Sequence, residues 1–311
     1  MLPALLAALL LARPAAAQKS GHELASFSPA PDMSRPLAER VAPIPDWLLK
    51  LWSEEDKSPA YANHPLSRRE RREFEKALAG MPRPMREAMS ERLLAFYFVE
   101  NLKGNGITDW VLDSSSRTFT YMILNPAAFK ETLSGLLTAR ERSVYRGAAD
   151  VSVDAGAGGS GIVYTLAHEG THAFDYVRRL TPYTEPRMAE RLGLTAPSPW
   201  DVWRTYALPL PEDDFPARAK LHFYGFGAPE LDPSEAPAVC AQLAGSPFSS
   251  LYGSRSWAED AAELFVAYHL THDLGRPFRL RCAGKTFEPM SNPAVAERAE
   301  RILAPMLAEA R

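Results

Sequence analysis

The sequence predicts an α+β fold, mainly helical, with a small sheet preceding the helix that carries the chemistry. Apolar residues recur at helical spacing in several segments on both sides of the chain's middle. Between them the period switches, and two short runs, Ile107 to Asp113 and Thr118 to Leu124, read as strands joined by Ser114-Ser115-Ser116-Arg117. The 311 residues are 46% hydrophobic and 23% charged, a globular composition that excludes a wholly disordered chain. The net charge of −3 argues against a nucleic-acid binder working by bulk positive charge, so no nucleic-acid partner is expected.

In chain order, residues 1–17 read as a secretory signal peptide. Leu2 to Ala12 is almost all Leu and Ala, and Ala15-Ala16-Ala17 fits a small-residue cleavage site before Gln18. The apolar run is about half the roughly 20 residues that a membrane span needs. No later segment is as apolar, so the mature chain is expected to be secreted or periplasmic, with no membrane span. Residues 18–45, rich in Pro and Ser, read as a linker or surface-hugging arm. Residues 46–105 read as an N-terminal helical region with three helices: Asp46 to Glu54, Ser67 to Leu78 with a Ser67/Glu70 capping box, and Pro84 to Asn101. After the two strands, Asn125-Pro126 opens a helix to about Tyr145, and Ala149 to Ala155 is a further short strand. Gly156-Ala157-Gly158-Gly159 lacks the Lys of a phosphate-binding loop and reads as a turn.

The helix expected from about Gly161 to Leu180, with Ser160 as N-cap and Pro182 barring its continuation, contains His168-Glu169-Gly170-Thr171-His172. Residues four apart share a helix face, so both imidazoles of this H-E-x-x-H run can bind one ion. Glu169 is rotated from His168 by about 100°, which places its carboxylate to serve as general base. Asp175, one turn beyond His172, is expected to orient a ligand by hydrogen bonding. With seven His in 311 residues, a chance match is on the order of 1%, so the motif carries weight.

The third ligand decides the subclass. Asp175 and Arg178 stand where metzincins carry Gly and His, which excludes that class. Arg191 occupies the offset where thermolysin-like enzymes often place a Glu, and Glu190 is one residue off, so it is a poor ligand candidate. Downstream, Tyr252 is followed by Ser256-Trp257-Ala258-Glu259-Asp260-Ala261-Ala262-Glu263-Leu264-Phe265. Together with His168-Glu169-x-x-His172-x-x-Asp175, this run resembles the gluzincin metallopeptidases, in the pattern of the anthrax lethal factor catalytic domain and the related pro-pro endopeptidases. The matching stretches are residues 160–180 and 250–268. The sequence departs from the pattern at Asp260-Ala261, where that family more often has two bulky apolar residues.

The resemblance implies a zincin-like catalytic domain over residues 106–311, one Zn²⁺ ion, Glu259 as third ligand and Tyr252 as the hydroxyl that stabilises the oxyanion. Taken alone, Ser256-Trp257-Ala258-Glu259 also reads as a capping box, and Tyr252 as a half-buried loop aromatic. Glu263, one turn on, is the reserve ligand or a hydrogen-bond partner of one. Trp257, Leu264 and Tyr268 recur at helical spacing and read as core. His269 and His272 are expected near the helix end and solvent, and His222 is a weak candidate for the cleft. Cys240 and Cys282 bracket Tyr252 and Glu259, and in an exported protein they are expected to form a disulfide.

The function expected is exported, zinc-dependent hydrolysis of peptide bonds, with a peptide or protein as substrate, Glu169 as general base and one of the strands before the motif helix, for example Ala149 to Ala155, pairing with extended substrate. The competing readings are a non-catalytic metal-binding envelope protein and a zinc hydrolase of a non-peptide amide. The presence of Glu169, which is not needed as a ligand, speaks against the first.

Overall fold

A computed structural model describes residues 21–308 except 59, 225 and 226. The expected signal peptide, residues 1–17, lies outside the described residues. No helix among the described residues is long and apolar enough to cross a membrane. The fold is mixed, with a four-stranded sheet set among helices.

The chain begins as an arm. His22 and Glu23 lie beside the end of a strand at Leu112, and Val41 bridges to Phe96, so residues 21–45 form a docked arm and not a free linker. Arg40 latches it: its buried guanidinium donates to the carbonyls of Met33, Ser90 and Leu93. Helix α1 (Asp46–Glu55), strand β1 (Ala62–Asn63) and α2 (Arg68–Ala79) follow. The capping box at Ser67 and Glu70 is formed as its sequence predicts.

The expected helix Pro84 to Asn101 divides into α3 (Arg83–Arg92) and strand β2 (Leu93–Glu100). Leu93-Leu94-Ala95-Phe96-Tyr97-Phe98-Val99 is continuously apolar, so its sequence shows neither helical nor alternating period. The structure supplies the reason. Phe96 and Phe98 enter the core beneath the motif helix, whereas Tyr97 and Val99 enter a second core beneath α1 and the arm. A strand covered on both faces has no polar side to display. Residues 46–105 are therefore not a separate helical region, because β2 is an inner strand of the main sheet.

Strands β3 (Gly106–Leu112) and β4 (Thr118–Leu124) form the expected pair, and the sheet order is β1-β2-β4-β3. β2 runs parallel to β4, and β3 lies antiparallel at the edge. The expected helix from Asn125 to Tyr145 resolves into a 3₁₀ turn, Pro126–Phe129, and α4 (Leu133–Arg142), whose N-cap is Thr132. Strand β5 (Val151–Asp154) leads into α5 (Ile162–Arg178), the motif helix. Its N-cap is Gly161 with no side-chain cap; Ser160 instead bridges to Thr132.

Helix α5 lies against β3 and β4 on one side and α3 on another. At Gly170 an added Cβ would sit 2.7 Å from Met85 Sδ of α3, so any larger residue there must displace that side chain. The connection after α5 carries α6 (Pro186–Leu192), the hairpin β6 (Trp203–Thr205) with β7 (Leu208–Pro209), and α7 (Ala236–Ala244). Helix α8 (Trp257–Tyr268) then packs on α5. Strands β8 (Arg279–Cys282) and β9 (Lys285–Phe287) join β5 in a second sheet, and α9 (Pro293–Leu307) closes the chain. The Cys240–Cys282 disulfide ties α7 to β8, with Cα atoms 6.3 Å apart.

Candidate metal centre

Two helices bring the donors together. His168 and His172 project from one face of α5, four residues apart, towards the first turn of α8. There the Ser256 hydroxyl accepts from the Glu259 backbone N–H, which fixes the start of α8. The Glu259 carboxylate does not complete a capping box; it turns into the site.

Glu259 Oε2 lies 3.1 Å from His168 Nε2 and 3.6 Å from His172 Nε2, and the two Nε2 atoms are 3.2 Å apart. Tetrahedral ligation with bonds of about 2.0–2.1 Å needs donor atoms about 3.4 Å apart, so the spacing fits one small cation. The chemistry of the donors agrees. His168 Nδ1 lies 3.0 Å from Glu263 Oε1, and since a carboxylate accepts, Nδ1 donates and Nε2 presents its lone pair to the centre. Buried Glu259 Oε2 has no hydrogen-bond partner. Lone pairs crowded together away from water call for positive charge between them. Without an ion, a proton takes that place. Burial opposes a charged His168, yet Glu259 and Glu263 outweigh it and raise its pKa to about 10. Burial likewise opposes a charged Glu259, and the two imidazoles outweigh it and hold the carboxyl well below its ordinary range. His168, His172 and Glu259 can thus hold a metal ion.

Glu169, buried at 5% exposure, lines the same cleft. Thr108 on β3 donates to its Oε2 at 2.7 Å. Burial raises the Glu169 pKa, against the lowering pull of the two histidines and Thr108. Gly106 makes room for it: an added Cβ would meet Glu169 Cγ at 2.6 Å and Oε1 at 2.7 Å. The Tyr252 hydroxyl donates to Glu259 Oε1 at 3.2 Å, and its ring meets Phe223 and Tyr224 edge-on. Burial and the Glu259 charge push the Tyr252 phenol well above its usual pKa, so it remains a donor.

The cleft holds about 340 Å³ and is lined by Trp52 of α1, Gly106 to Thr108 of β3, the ligand set, Tyr206, Tyr224 and Tyr252. A larger hollow of about 690 Å³ lies against the N-terminal end of α5 and touches no ligand.

Several expectations need correction. Asp175 makes no hydrogen bond to either histidine; its carboxylate accepts from the Thr181 backbone N–H and hydroxyl, both at 2.6 Å, and fastens the chain leaving α5. The role expected of Asp175 falls to Glu263, which is a partner of His168 and not the ligand. Glu190, a poor candidate by its offset, is exposed on α6 and stands outside the donor cluster, in agreement with that reading. His222 pairs with Glu230, and the residue two further on, Tyr224, lines the cleft in its place. His269 is buried at 1% exposure and bonded to Asp273 in a π-helical turn. Of the strands before the motif helix, the one beside the metal centre is β3 and not the example Ala149 to Ala155; β5 pairs with β8 in the other sheet. At the departure from the family pattern, Asp260 is a buried acid paired with Arg298 and accepting from Trp203 Nε1. Trp257 and Leu264 are core, as expected, and Tyr268 is partly buried and stacked on His272.

A scan against protein-family models, a search of curated proteins and a search of solved structures each gave no match for this chain.

Proposed function

We propose that the protein is an exported, zinc-dependent metallopeptidase with a zincin-like catalytic domain of the gluzincin type. The observation that carries the reading is the meeting of two imidazole Nε2 atoms and an unpartnered carboxylate oxygen beside a separate buried glutamate. A structural metal site has no use for Glu169; a hydrolytic one does. The buried disulfide agrees with an oxidising compartment, and with export by the N-terminal segment.

His168, His172 and Glu259 would hold the ion. Bound there, Zn²⁺ would supply Lewis acidity. Glu169 takes the proton of the attacking water and delivers it to the leaving amine nitrogen. Thr108 keeps the carboxylate aimed while it does so. The Tyr252 hydroxyl donates to the oxygen on which negative charge develops. Edge strand β3 offers the backbone groups of Gly106 to Thr108 to an extended peptide, which is the mode of binding a free sheet edge provides.

The test is a pair of variants on the purified protein. Glu169→Gln is expected to bind zinc as the wild type does and to lose turnover on a mixed peptide library. His172→Ala is expected to lose zinc itself. Wild-type turnover by Glu169→Gln would sink the mechanism, and zinc without turnover in the wild type would favour a binding role.

A further inference from the structure

The motif pattern gives no role to α4, yet its Arg140 is a fully buried charge whose guanidinium reaches the back of the metal centre. Its side chain has 0% exposure. Nη1 donates to Glu263 Oε1 at 2.7 Å and to the Tyr164 hydroxyl at 2.6 Å. Nε and Nη2 donate to Glu141 Oε1 at 3.1 and 2.6 Å, so the fork is held from the side by its own neighbour. The guanidinium carbon lies 5.6 Å from the centre of the Tyr252 ring. One cation therefore stands behind both His168 and Tyr252.

The link to His168 is the Glu263 carboxylate, itself at 0% exposure. Its Oε1 accepts from Arg140, from Tyr164 at 3.0 Å and from His168 Nδ1 at 3.0 Å, and its Oε2 accepts from Ser250 at 2.7 Å. Of these partners only Arg140 is a permanent charge. Take it away, and Glu263 loses the one permanent charge that pins its buried carboxylate, the breaking of a buried ion pair that leaves the carboxyl to protonate or turn away. His168 then loses the acceptor that sets which ring nitrogen faces the metal. Lysine does not replace the fork, because one ammonium cannot meet Glu263, Tyr164 and Glu141 in a plane.

We propose that Arg140 is the positioning residue of this metal centre: it locks Glu263 and, through Glu263, sets the proton and the ring plane of His168. The proposal rests on the metal-site reading above and not on peptidase activity. Its test is competition for Zn²⁺ against a chromophoric chelator, run on the full chain as wild type, Arg140→Lys, Arg140→Met, Glu263→Gln and the double variant Arg140→Met/Glu263→Gln. Loss of such an outer partner typically weakens metal binding by about 10–100-fold, and that is expected for Arg140→Met. Arg140→Lys is expected to recover part of the loss and to alter the visible spectrum of the Co²⁺-substituted protein. The double variant is expected to bind no more weakly than Glu263→Gln alone, because both changes cut one chain of contacts. Zinc binding by Arg140→Met at wild-type strength, or losses that add in full in the double variant, would overturn the proposal. Should Arg140→Met not fold, Arg140→Lys and the double variant carry the same decision. A wild type that binds no zinc overturns this proposal and the metal-centre reading together. One that binds zinc with this dependence yet cleaves no peptide overturns the peptidase reading alone.

Discussion

Gly106 sets the tolerance of the site at the scale of one atom. A methyl group there would sit 2.6 Å from Glu169 Cγ, too close for any real contact, so either β3 or the glutamate must move. Gly106→Ala is expected to lower kcat by about 10²-fold, the typical loss when a reacting group is misplaced by an ångström, while zinc affinity stays at the wild-type value. Stopped assays at saturating substrate with a parallel zinc titration check this. Tyr252→Phe removes one hydroxyl and leaves the ring packed on Phe223 and Tyr224. It is expected to cost about 10²–10³-fold in kcat, with KM nearly unchanged. At this scale the sequence was legible where chemistry and spacing coincide: His168, Glu169 and His172 lie on one helix, and Glu259 follows Tyr252 at a readable interval. Thr108, Tyr224 and Arg140 were not legible. Each meets the site across a long sequence separation, and an arginine on a helix reads as a solvent-facing charge until the packing around it is known.

Elements show a second kind of limit. The strand pair β3–β4 and the helices α1, α2 and α5 announce themselves by period, and α2 also by its capping box. β2 does not, because burial on both faces removes the polar residues from which period is read. The arm shows the reverse case: a Pro-rich segment without period is nevertheless fastened, through Arg40 and the carbonyls of Ser90 and Leu93 outside the arm. Arg40→Met is expected to release it, and limited proteolysis is expected to cut residues 21–45 faster in that variant while helices α5 and α8 stay protected; equal rates of cutting would show that the latch lies elsewhere. The disulfide between α7 and β8 closes a loop of sequence separation 42 that contains all of α8. Its removal in Cys240→Ser/Cys282→Ser is expected to cost about 4 kcal/mol in the chain-entropy account, measurable by urea unfolding.

Across the whole molecule, acid response follows from the buried ion pairs. Asp201, in the long connection after α5, meets Arg298 Nε at 2.7 Å, and Arg301 of the same α9 also pairs with it. Burial acts to raise its pKa, but the two guanidinium groups outweigh this and lower it. A folded-state value below the unfolded value of about 3.9 means that ionised Asp201 stabilises the fold above about pH 4. That contribution fades as pH falls through the folded value. Asp201→Asn is therefore expected to lower the melting temperature more at pH 6 than at pH 3, and an equal loss at both would rule out charge as the cause.

The clamp formed by His168 and His172 on α5 and Glu259 on α8 also has a thermodynamic reading. The unfolded chain scatters these three donors, so on the proposed reading free zinc is expected to drive the equilibrium toward the native state by mass action. At a free concentration 100 times the dissociation constant this shift amounts to about 2.7 kcal/mol, and it grows with the logarithm of concentration. A melting curve taken at graded zinc activity thus becomes a binding isotherm, and chelation slides it back along the same line. The protein is then expected to read out the zinc status of its surroundings as its own lifetime.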